Sequence, residues 1–203
     1  MLKDKRQKIV DAAIKRFIYF GVAKTTMDDI AKDLSLSKPS LYYYFVNKNH
    51  LVGAVLDDIF DEYFQVLSAF SLNQTLEEIL NRSISVQWEF FKRYYLLGIT
   101  GGLFFNLKDK ILQEKLVGFR SKNLGFLINV FNLSKQRMQI DHLSVDVLAN
   151  LYLQCLEGMA VNLIFDGKIS LPFNQDQYQR VYQNALEFTA IFVKGIGSIE
   201  IDV

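Results

Sequence analysis

Apolar residues recur at three- and four-residue spacing along most of this chain, which is the period of an amphipathic helix. Ile9, Ala13, Phe17 and Phe20 share one face and predict a first helix from about Lys3 to Phe20, ended by Gly21. Thr26-Met27-Asp28-Asp29 has the form of a capping box: a threonine hydroxyl serves a backbone amide and an aspartate meets the positive end of the helix dipole. The helix it opens has Ile30, Ala31 and Leu34 as buried positions. Leu34-Ser35-Leu36 breaks the period, and Ser37 then caps a third helix, whose first turn tolerates Pro39 because first-turn amides lack an intrahelical partner. Asn47 caps a fourth helix with the unbroken stripe Leu51, Val55, Ile59, Tyr63 and Leu67, and with Phe60 and Phe64 beside it.

The pattern continues through the rest of the chain. Thr75-Leu76-Glu77-Glu78 is a second capping box and opens a helix to about Leu97. Gly98 to Gly102 holds three glycines in five residues and reads as a break. Phe104 to Leu133 divides into a short and a long helix, with the boundary near Asn106 to Asp109. Residues 145–165 are apolar on two faces, one through Val145, Leu148, Tyr152, Leu156, Met159 and Leu163, the other through Val147, Leu151, Val161 and Phe165. Such a helix needs a core on one side and a second surface on the other. Asp166-Gly167 is a stop, and a last helix spans about Asn174 to Lys194. The fold class expected is all-α.

Composition changes this picture in three ways. Half the residues are apolar and only two are proline, which suits a helical protein with a real core. The net charge of +1 conceals an asymmetry, since residues 1–50 hold ten Lys/Arg against five Asp/Glu and the remainder thirteen against seventeen. A basic head on a mildly acidic body points to a polyanionic partner, although a solvated surface of uneven charge gives the same balance. Cys155 is the only cysteine, so no intrachain disulfide forms. The N-terminus lacks an apolar run of signal-peptide length, and the most apolar segment, 145–165, is interrupted by Asp146, Asn150, Gln154, Glu157 and Asn162. A cytoplasmic protein with no membrane association is expected.

The stretch Thr25 to Lys48 carries the candidate chemistry. Lys38, Ser40, Tyr42, Tyr43 and Lys48 put donors and aromatic rings on or beside a short helix, a combination that a core has little use for and a major groove can read. Residues 9–55 resemble the DNA-binding domain of the TetR family of bacterial transcriptional regulators. The resemblance rests on Ile9, Ala12-Ala13, Phe17, Gly21, Thr25-Thr26, Asp29-Ile30-Ala31, Ser37-Lys38, Leu41-Tyr42, Tyr44-Phe45, Lys48, Leu51 and Ala54-Val55, all in one register. It covers about a quarter of the chain by motif. The turn departs from the family pattern, with Leu34 and Ser35 where a small residue and a glycine are usual, so a slightly altered turn geometry is expected. Asn49 and His50 stand where acidic residues often follow the lysine.

The resemblance implies a three-helix helix-turn-helix domain over 1–47 and a larger helical ligand-binding and dimerisation domain over 48–203. Thr26, Tyr42 and Lys48 would then hold phosphates, while Lys38, Pro39, Ser40 and Tyr43 face the bases. Tyr44 and Phe45 are expected in the core or against the backbone. It further implies a homodimer on a palindromic operator in double-stranded DNA, usually as a repressor, although activation would use the same fold. Helix 145–165 and the last helix are the candidates for the dimer contact, and burial in one large core would give the same pattern.

No cofactor and no metal are expected. The dense aromatics between 88 and 131 suit an apolar or aromatic small-molecule effector, and plain packing would account for them as well. Trp88, Phe91, Tyr95, Phe104, Phe126, Tyr152, Cys155 and Met159 are the expected pocket residues, with the glycines of 98–102 as an adjustable element and Glu89 and Glu157 as further polar candidates. With two histidines and no G-x-S-x-G, H-E-x-x-H, Walker or dinucleotide signature, an enzyme is not expected. A helical adaptor for protein partners would leave the basic head unexplained.

Overall fold

The computed structural model describes residues 2–71, 73–94, 109–138, 140, 143–165 and 175–198. They form eight helices: α1 (Leu2–Lys24), α2 (Met27–Asp33), α3 (Lys38–Tyr44), α4 (Lys48–Ser68), α5 (Leu76–Tyr94), α6 (Lys110–Met138), α7 (Val145–Phe165) and α8 (Gln175–Ile196). The class is all-α, with no strand among the described residues. The glycine run 98–102 and the short helix expected after Phe104 lie outside them.

The helix ends follow local chemistry. Gly21 interrupts α1 at φ 77° and ψ 155°, a backbone state open essentially only to glycine, and one further turn reaches Lys24. Thr75 and Glu78 form the expected capping box at α5, with the Thr75 N–H donating to Glu78 Oε2 at 2.8 Å and the Glu78 N–H donating to Thr75 Oγ1 at 3.3 Å. Asp109 opens α6, accepting from the Ile111 and Leu112 amides at 3.0 and 3.2 Å. α6 runs five residues beyond the expected end at Leu133, through Lys135 and Arg137 in its last turn. Cations there favour the negative end of the dipole, so the helix outlasts its apolar stripe.

Two compact units divide the chain: Met1–Gln65 with Phe90–Phe119, and Val66–Glu89 with Arg120–Val203. In the first, Ile9, Val10, Ala13 and Phe17 of α1 meet Ile30 and Ala31 of α2, Leu41 of α3, and Leu51, Val52, Val55, Leu56 and Ile59 of α4 in one core. Phe60, Tyr63, Phe64, Phe90 and Phe119 extend it as interlocked rings. In the second, Tyr152 of α7 stacks on Phe188 of α8 at 5.6 Å and lies edge-on to Phe131 of α6. Its hydroxyl and that of Thr189 are 2.8 Å apart, and Thr189 Oγ1 donates to the Ala185 carbonyl, so the tyrosine supplies the proton between them. Ile79, Leu80, Leu127, Val130 and Ala149 are buried in the same unit.

Candidate nucleic-acid interface

The site is built from α2, the turn after it, α3 and the first residue of α4. Thr26 caps α2 in an extended conformation, its hydroxyl accepting the Asp29 amide at 3.2 Å and donating to Asp29 Oδ2 at 2.7 Å, while its own N–H reaches the same carboxylate at 3.0 Å. These bonds to Thr26 hold the Asp29 carboxyl below its ordinary range. The expected phosphate anchor is thus already engaged within the fold: the hydroxyl proton of Thr26 is directed at a carboxylate. Arg16 of α1 donates to both oxygens of Asp33 and so ties α1 to the C-terminal end of α2.

The turn after α2 carries the departure seen in the sequence. Ser35 adopts φ 52°, the left-handed state that a glycine would take without cost, and the Leu36 amide returns to the Ala31 carbonyl at 2.9 Å. Ser37 then caps α3, accepting the Ser40 amide at 3.3 Å, with Pro39 in the first turn. Leu41 is the one buried residue of α3, and Phe45 just beyond it is also buried, under the guanidinium of Arg6 at 4.8 Å. The remaining side chains of α3 lie partly or largely in solvent: Tyr43 is 74% exposed and Tyr42 39%. Lys38, Pro39 and Ser40 share this outward side, and Tyr44 is half-buried with its ring edge-on to Tyr43 at 5.3 Å.

Two lysines flank this surface in different states. Lys38 Nζ lies 3.0 Å from Asp28 Oδ2, and that hydrogen bond raises the ammonium's pKa. Lys48 begins α4, is half-buried, and has no carboxylate partner among the described residues; desolvation lowers its pKa. Asn47 caps the helix by accepting the His50 amide at 3.0 Å. Asn49 Nδ2 donates to Asp109 Oδ2 at 2.6 Å, so an acid sixty positions away reaches the turn where neighbouring acids are missing. The Asn49 bond is the main cause of the lowered Asp109 pKa, followed by the Leu112 amide. Sequence reasoning missed Asp28, Arg16 and Asp109. Asp28 was legible as a first-turn acid but not as a partner for Lys38, and nothing local marks the Asn49–Asp109 pair.

The expected effector residues are dispersed in their surroundings. Trp88 is half-buried and stacks on Tyr182 at 5.2 Å, and Phe126 lies edge-on to Phe70 at 6.2 Å. Phe91 and Met159 are half-buried. Tyr152 is fully buried in the aromatic cluster with its hydroxyl satisfied, and Cys155 is exposed. Glu157 is paired with Arg120 Nε at 2.9 Å, and Glu89 is exposed. Tyr95 and Phe104 lie outside the described residues. A cleft of about 390 Å³ opens in the first unit, among Asp11, Asp58, Asp61, Glu62, Arg93 and Tyr94 of α1, α4 and α5. Four of its nine lining residues are acidic, and Ile14, Ile59 and Gln65 complete the wall. Among the described residues no helix is long and apolar enough to cross a membrane, and no cluster of His, Cys, Asp and Glu could hold a metal ion.

Comparison with known proteins places this geometry. Residues 9–55 match the bacterial regulatory proteins of the tetR family. The probable HTH-type transcriptional regulator ArpR of Pseudomonas putida is 31% identical over 77 residues, which cover 38% of this chain and 37% of ArpR. The biofilm operon icaADBC HTH-type negative transcriptional regulator IcaR of Staphylococcus epidermidis is 36% identical over 62 residues, 30% of this chain and 34% of IcaR. The chain therefore spans about a third of the length of these curated relatives. A crystal structure of a transcriptional regulator from Cytophaga hutchinsonii shares the fold at a TM-score of 0.82, with 22% identity over 94% of this chain and 97% of that one. The matching residues, 9–55, fold as most of α1, all of α2 and the exposed α3, and the start of α4, so this segment is similar to the bacterial regulatory proteins of the tetR family.

Proposed function

We propose that this chain is a cytoplasmic transcriptional regulator that binds a palindromic operator as a homodimer, acts as a repressor, and is released by a small apolar or aromatic effector. The observation that carries the reading is α3, pinned by Leu41 while Lys38, Pro39, Ser40, Tyr42 and Tyr43 stay accessible to a groove. Lys48 supports it: an ammonium that is partly desolvated and unpaired among the described residues gains most from a phosphate. Thr26 contributes the α2 amides around it rather than a free hydroxyl proton. In this division of labour residues 1–47 read DNA and 48–203 dimerise and sense. The name of IcaR, a negative regulator, supports repression. For the effector we propose Trp88, Phe126 and Met159, whose half-buried apolar surfaces leave room for a ligand contact that the closed Tyr152 cluster does not.

Selection of bound duplexes from a random pool tests the reading. A palindrome with half-sites about 10 base pairs apart, centre to centre, is the expected product. A folded dimer that enriches no sequence at moderate salt sinks it.

A further inference from the structure

Asp28 occupies the first turn of α2, and its carboxylate takes the ammonium of Lys38, the first residue of α3. We infer that Asp28 sets the specificity of the DNA-reading surface by holding Lys38 away from phosphates and yielding it only where a base acceptor is in reach; this rests on the regulator reading above. The Lys38 and Asp28 side chains are 60% and 48% exposed, so the pair is screened by salt and readily exchanged. It biases the lysine without locking it.

The bias acts differently on the two kinds of DNA. Along a random duplex the attraction is to phosphates, and a lysine already neutralised by a neighbouring carboxylate adds little to it. The carboxylate also repels the backbone. At a matched site a guanine presents O6 and N7, and an ammonium has three protons, so Lys38 can donate to the base while keeping one bond to Asp28. Asp28 then orients the donor instead of competing with it. The net effect is weaker non-specific binding at little expense to the operator. Asp28 is a positioning residue, acting on DNA through Lys38. Arg16, by contrast, is engaged with Asp33 on the side of α2 that faces α1, where its pair ties helices together.

The test compares wild type, Asp28→Asn, Lys38→Met and the double variant on a selected duplex and on a random duplex of equal length, across a salt series. Asn is isosteric at this exposed position and leaves the Thr26–Asp29 cap intact. Asp28→Asn is expected to bind the random duplex several-fold tighter at low salt, with the log-log salt slope steeper by about 0.9, one further phosphate contact. The ratio of specific to random affinity should fall by a similar factor. The gain should vanish in the Lys38→Met background, and NMR titration should show the Lys38 ammonium losing its proton more easily once Asp28 is neutral. An unchanged slope and ratio in Asp28→Asn, or a gain that persists without Lys38, overturns the role of Asp28 while wild-type binding leaves the regulator reading standing. A wild-type chain that retains neither duplex overturns both.

Discussion

A lysine at the first position of a helix meets the positive end of the dipole, and Lys48 does so half-buried and without a carboxylate partner among the described residues. No carboxylate among the described residues offsets that placement, whereas a phosphate would relieve both the dipole and the desolvation. Lys48→Ala should therefore weaken binding to every duplex alike and flatten the log-log salt slope by about 0.9. A variant with wild-type affinity and slope removes Lys48 from the site. Tyr152 and Thr189 present the opposite case, a polar pair closed inside the second unit. Tyr152→Phe leaves Thr189 its bond to Ala185, and should cost about 0.5–1.5 kcal/mol in urea unfolding. Thr189→Val strands the buried tyrosine hydroxyl and should cost about 1–3 kcal/mol. Equal costs would mean that the hydroxyl finds another partner. At this scale the sequence is legible where chemistry is local, as at Thr26 and Ser37, each serving an amide three residues on. It is silent on which lysine a carboxylate will take: Asp28 and Lys38 meet only once the turn at Ser35 has brought α2 and α3 together.

The two capping boxes make a prediction about elements, because each couples a helix start to a charge. Thr26 lowers the pKa of Asp29, and the Thr75 backbone and hydroxyl lower that of Glu78, from ordinary values of 3.8 and 4.5. A depressed carboxyl pKa contributes stability that is complete above the unfolded value and is lost as pH falls through the folded one. Thr26→Val and Thr75→Val should each lower the melting temperature by about 2–4 °C at pH 7. The deficit should shrink at acid pH, as the two carboxyls take up protons below 3.8 and 4.5 and the advantage is lost from wild type. A deficit of equal size at both pH values would assign the caps to neutral hydrogen bonding alone. Helix starts were readable for the same reason that they are stabilising: Thr75 and Glu78 sit three residues apart and need no tertiary context. Helix ends were less so. α6 passes Leu133, where its apolar pattern stops, because the buried Ser134 and the last-turn Lys135 and Arg137 suit a helix without extending the stripe.

The pattern of α7 also bears on the assembly. Val145, Leu148, Ala149 and Tyr152 are buried, whereas Val147 is 54% and Leu151 49% exposed, with Cys155 and Gly158 continuing on that solvent side. The two-faced sequence left open whether both faces enter one core; the fold of the second unit buries one of them. An apolar face with small residues lets two helix backbones approach closely, and at Gly158 an added Cβ would meet nothing within 4 Å. A two-fold contact there brings equivalent residues of both copies together, so one substitution acts twice. Leu151→Glu should place two carboxylates in the contact while leaving the folded chain intact, since the residue is half in solvent already. Sedimentation equilibrium should show wild type at twice 23.5 kDa and the variant at 23.5 kDa, with helix content unchanged. Operator affinity should drop by about 10²–10⁴-fold as the two heads lose their linkage, while a single half-site is bound as before. A variant that remains dimeric would move the contact off this face of α7, and a monomeric wild type bound tightly to a palindrome would leave the paired-head mechanism without its physical link.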